Sequence, residues 1–84
     1  MKPVRLSRHA QEQCFERGAT PEEVRQAVER GSREPAKLGR ELCRWNIPFG
    51  KNWRGKRYAI KQVAPVIAEE STEIVVITVC TFYF

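Results

Sequence analysis

The last eleven residues, Ile74 to Phe84, form the longest apolar run in the chain. The run falls well short of the roughly 20 apolar residues of a membrane span, and its valines, isoleucines and aromatic rings read as a strand. A strand apolar on both faces is central in its sheet or covered on both sides. The chain has 84 residues, which allows one small domain, residues 1–84, with a compact core. Period-two placement puts Ile74, Val76, Cys80 and Phe82 on one face and Val75, Ile77, Val79 and Tyr83 on the other. Two short helices can cover only one of them. The second face therefore predicts a partner, most simply a homodimer through the C-terminal strand.

The helices precede the sheet. Ser7 reads as an N-cap and Gly18 as the left-handed end of a first helix, with Ala10, Cys14 and Phe15 as a narrow apolar stripe. Thr20 as cap, Pro21 at the first helical position and Glu23 in a capping box open a second helix, which carries Val24, Ala27 and Val28 and stops at Gly31. From Ser32 to Glu41 the chain reads as a polar connection, after which Cys43, Trp45, Ile47 and Phe49 alternate with Leu42, Arg44, Asn46 and Pro48. Gly50 to Gly55 is expected to turn the chain back into a strand from Lys56 to Ala64, with Tyr58 and Ile60 on one face and Arg57, Ala59 and Lys61 on the other. Pro65 has no N–H for a ladder, which places it at an edge or a bulge, with Val66 to Glu69 continuing beyond. The expected class is α+β: two N-terminal helices packed on a three- or four-stranded, mainly antiparallel sheet.

Fifteen Lys and Arg against ten Glu leave a net charge of +5, which favours a polyanionic partner. The excess is central: the local sums are +1 for residues 1–32, +7 for residues 33–61 and −3 for residues 62–84. Lys51, Arg54, Lys56, Arg57 and Lys61 occur without an acid and interleave with Trp53 and Tyr58, while Lys37, Arg40 and Arg44 extend the basic region. Cations neutralise phosphates and aromatic faces stack on bases, so the pattern suits single-stranded or looped RNA. A solvated hairpin tip with Trp53 folded back on the core is the other reading of the same residues.

His9 is the only histidine. In the first turn of a helix the positive dipole end favours the neutral ring, the form a general base needs; packing at the helix end is the bland alternative. Arg17 reads as a dipole partner at the end of helix 1, and Thr78, Thr81 and Tyr83 add hydroxyls on the last strand. Cys14, Cys43 and Cys80 lack the close spacings of zinc sites and cannot all pair within one chain. A cytoplasmic protein without metal, cofactor or membrane association is expected. The start, Met-Lys-Pro-Val-Arg, does not read as a signal peptide.

The elements His9-Ala10, Gln13-Cys14, Glu16-Arg17-Gly18 and Glu22-Glu23-Val24, continued by Gly31, Glu34-Pro35-Ala36-Lys37, Gly39-Arg40, Tyr58, Lys61, Val63, Pro65 and Ile74 to Val79, resemble the bacterial domain-of-unknown-function family 4258 over nearly the whole chain. That family is similar, more remotely, to small bacterial toxins of the RelE and BrnT type. The resemblance implies helices against an antiparallel sheet, RNA cleavage without a metal, and an antitoxin protein as a partner. His9 would be the base, Arg17, Lys37, Arg40 and Lys61 the phosphate or transition-state partners, and Thr78 or Tyr83 a supporting hydroxyl. A non-catalytic module binding RNA or a protein through the same basic face is the alternative.

Overall fold

In the computed structural model, which describes residues 2–84, Ser7 ends a short first strand and starts the first helix. Its hydroxyl accepts the Ala10 N–H at 3.1 Å and donates to the Ile77 carbonyl at 3.2 Å, so one side chain caps α1 (Arg8–Arg17) and ties it to the last strand. α1 closes at Gly18, whose φ of 73° lies in the left-handed region. Thr20 then caps α2 (Pro21–Arg30) in a reciprocal capping box. The Glu23 N–H reaches the Thr20 hydroxyl at 3.1 Å, and the Glu23 carboxylate takes the Thr20 N–H at 2.9 Å. Ala10 and Cys14 of α1 and Val24, Ala27 and Val28 of α2 are buried in one core with Cys43, Val63, Ile67, Val76 and Val79 of the sheet.

Five strands form that sheet: β1 (Val4–Leu6), β2 (Ser32–Pro35), β3 (Glu41–Trp53), β4 (Lys56–Glu69) and β5 (Ile74–Tyr83). Their order is β1-β5-β4-β3-β2, and every neighbouring pair is antiparallel except β1 with β5. The class is α+β as expected, with five strands in place of three or four. The additional strands are the two outer ones. β1 is only three residues long, and all four residues of β2 are exposed, so neither carries the alternation that marks a half-buried strand. No helix among the described residues is long and apolar enough to cross a membrane.

Three local expectations are corrected. Pro65 is buried in β4, the middle strand, and not at an edge. Ile60 exchanges both of its backbone hydrogen bonds with Phe84, so alternate positions of β4, Pro65 included, point their backbone groups toward β3. There the pairing passes from Leu42↔Val66 to Trp45↔Val63 without a change of register. The bulge comes one residue later and on the other side, between Val66 and Ile67. It leaves Ile77 of β5 over, because Thr78 pairs with Val66 and Val76 with Ile67. One extra residue inverts the alternation: Val76 and Val79 both lie in the core, while Cys80 and Phe82 face away from the helices.

The third correction concerns the hairpin. The connection expected over Gly50 to Gly55 is a two-residue turn, Arg54-Gly55, with φ of 51° and 83°, the left-handed pair that matches the twist of the flanking strands. A second bulge lies between Pro48 and Lys51, with Gly50 at a φ of 58°. It twists the ribbon so that Trp53 and Tyr58 both come against Tyr83.

Candidate nucleic-acid interface

The last turn of α1 exposes backbone carbonyls, and the sheet supplies donors to them. Tyr83 Oη donates to the Arg17 carbonyl at 2.7 Å, and Thr81 Oγ1 donates to the same oxygen at 3.1 Å. Lys61 Nζ donates to the Gly18 carbonyl at 2.9 Å, and an Arg54 guanidinium nitrogen donates to the Glu16 carbonyl at 3.2 Å. Two of these four donors are cations, which suit the negative end of the helix dipole. Lys61 also pairs with Glu23 at 2.9 Å. The carboxylate that completes the α2 capping box therefore holds the ammonium that caps α1, and Lys61 clamps the turn between the helices. It is only 6% exposed, whereas its place in the alternation with Arg57 and Ala59 predicted a polar face. Its pairing with Ile47 puts it on the helix side.

Of the expected catalytic residues, Arg17, Lys61 and Tyr83 are brought together here. Arg17 also donates from its side chain to the Val79 carbonyl at 3.1 Å, on the β5 edge past the end of β1. Burial pushes the Tyr83 hydroxyl above its ordinary value, so it is a committed hydrogen-bond donor. His9 is exposed at the other end of α1, about 12 Å from Arg17 at 1.5 Å per residue. Thr78 donates to Gln13 Oε1, which also accepts the Val79 N–H at 2.7 Å, so this hydroxyl anchors α1 as well. Gln13, Gly18 and Glu23 complete the node. The sequence signalled Gly18 and Glu23 as helix-end residues alone, and no spacing signalled Gln13.

No family model, curated protein or solved structure matches the chain.

The basic residues expected to bind nucleic acid do not form one patch. Lys37 is exposed on the 3-10 turn (Lys37–Gly39) and Arg40 follows it. Lys51, Arg54, Lys56 and Arg57 occupy the hairpin tip, and β3, thirteen residues long, separates the two groups by about 40 Å. Between them Arg44 is held by Glu34 at 3.1 Å and Gln62 at 2.9 Å. At the tip Lys51, Lys56 and Arg57 are exposed and enter no ion pair among the described residues. Trp53 stacks on Tyr83 with ring centroids 5.0 Å apart and carries the Arg54 guanidinium 5.2 Å from its ring centre, so its ring is engaged within the fold.

Beside the tip lies a polar cleft of about 430 Å³, lined by Glu16, Arg17, Trp53, Arg54, Thr81 and Tyr83. A larger groove of about 650 Å³ runs along β1 and the α1–α2 turn past Cys14 and Phe15 and holds none of the expected site residues. The three cysteines are free thiols. Among the described residues no three His, Cys, Asp or Glu side chains converge as metal ligands.

Proposed function

We propose that the chain is a single-stranded RNA-binding module whose contact surface is the β3–β4 hairpin tip, continued into the neighbouring cleft by Arg54 and Arg17. The observation that carries this reading is the concentration of Lys51, Arg54, Lys56 and Arg57 on one narrow ribbon without a carboxylate among them. Exposed, unneutralised cations release counterions when they meet phosphates, and a bare ribbon reaches a flexible strand from several sides. Because Trp53 is already stacked on Tyr83, affinity comes from the backbone phosphates more than from base stacking, and the module tolerates many sequences. Three free thiols fit a reducing, cytoplasmic setting.

The toxin-type ribonuclease reading has less support from the arrangement. His9 stands apart from the cluster, and the hydroxyl of Tyr83 and the ammonium of Lys61 hold helix carbonyls. One experiment separates the readings. Labelled single-stranded RNA is titrated with the protein over a range of salt and then analysed for strand length. A steep fall of affinity with salt and an intact strand support the module. A cut that disappears in His9→Ala supports the ribonuclease, and absence of association at low salt removes both.

A further inference from the structure

The helices leave one face of the sheet bare. Leu42, Val66, Cys80 and Phe82 share it through the pairings of β3 with β4 and of β4 with β5, and Phe82 is 46% and Phe84 58% exposed. The charges around it are neutralised within the chain: Arg44 pairs with Glu34 at 3.1 Å and lies over the Phe82 ring, and Arg5 pairs with Glu73 at 3.0 Å. Such a face gains little from a polyanion or a charged partner and much from burying apolar area.

We propose that this face is the interface of a homodimer in which two sheets stack about a two-fold axis that crosses the strands. Its size points to a second copy. The five strands hold 3, 4, 13, 14 and 10 residues, and at about 3.3 Å per residue and 4.8 Å between strands they make a face of roughly 700 Å². That is on the order of the 800 Å² that each partner contributes to a standard interface. A twisted sheet also fits a copy of itself, stacked with strands about 30° apart. Of the two-fold axes open to such a stack, one along the strands sets the two basic tips side by side. The axis across them sets the two tips at opposite ends of the dimer, so the like charges stay apart and both tips remain open.

Sedimentation equilibrium of the full chain at micromolar concentration is expected to show a dimer. Phe82→Lys and Val66→Lys are each expected to give a folded monomer with an unchanged circular dichroism spectrum. A readout that needs no variant is the alkylation of Cys80, since Cys14 and Cys43 are buried and Cys80 is half-buried on this face: its rate should fall as protein concentration rises. A wild-type monomer throughout the micromolar range, or a Cys80 rate independent of concentration, overturns the proposal. So does a dimer that both lysine variants leave intact.

Discussion

Lys61 and Lys51 belong to the same basic stretch and sit on adjacent strands of one hairpin, yet their surroundings are opposite. Lys61 has its ammonium between the Gly18 carbonyl and Glu23, 2.9 Å from each, beneath the α1–α2 turn. Lys51 stands exposed at the tip and enters no ion pair among the described residues. The first charge is neutralised by the fold and holds two helix ends, so it is unavailable to a ligand. The second is neutralised by nothing among the described residues, which leaves it open to a phosphate. A run of basic residues is thus not yet a surface: the β3–β4 hairpin divides its cations into those that build the protein and those it can offer.

The sharpest way to break this contrast is Lys61→Met. It leaves the Gly18 carbonyl without its donor and Glu23 without its cation, and because Glu23 keeps the Thr20 N–H and some access to water the cost falls at the low end for a broken buried pair, about 3 kcal/mol. A thermal melt should show a fall of roughly 15 °C for a domain of this size. RNA affinity measured below the transition should be nearly unchanged. Gly18→Ala comes next. An added Cβ would lie 2.7 Å from both Trp53 Cζ3 and Tyr83 Oη, at a φ of 73°, and the steric and conformational penalties together should cost about 2 kcal/mol. Displaced Trp53 should also shift the tryptophan fluorescence.

Tyr83→Phe keeps the ring stack and removes one hydrogen bond, so about 1 kcal/mol is expected from denaturant unfolding. Its signature is in the pH dependence. Burial raises the Tyr83 pKa above the 10.0 of a free phenol, so the folded chain keeps this proton at a pH where the unfolded chain has lost it. Stability from this group is complete below pH 10.0 and is lost as pH rises through the raised value. The wild-type chain should therefore lose more stability than Tyr83→Phe between neutral and strongly alkaline pH. Parallel curves would mean that the hydroxyl is not buried against Arg17.

Much of the framework was legible because it is local. Ser7, Gly18, Thr20, Pro21 and Glu23 mark helix ends through geometry that spans four residues or fewer, and Val24, Ala27 and Val28 show their face by spacing alone. What escaped is set by distant partners. β1 exists because Val4 pairs with Ile74, a relation that three residues cannot announce. The faces of β5 were misassigned beyond Ile77 because a single bulge inverts period two. Lys61 turns inward because it pairs with Ile47 on the helix side. The central charge of +7 was read correctly as a sum, but a long strand holds its members about 40 Å apart.

The central claim, that only the tip cations are offered to a ligand, is tested by comparing two double charge reversals of equal charge, Lys51→Glu with Arg57→Glu and Lys37→Glu with Arg40→Glu, in one RNA titration. Both pairs change the net charge by the same amount, and both should leave stability within about 0.5 kcal/mol of wild type. The account predicts that the tip reversal weakens binding strongly and flattens the salt dependence, by about 0.7 in log–log slope per lost phosphate contact. The distant reversal should leave the slope as it was. Equal losses from the two reversals would show that overall charge, and not the hairpin tip, governs binding, and would contradict the account.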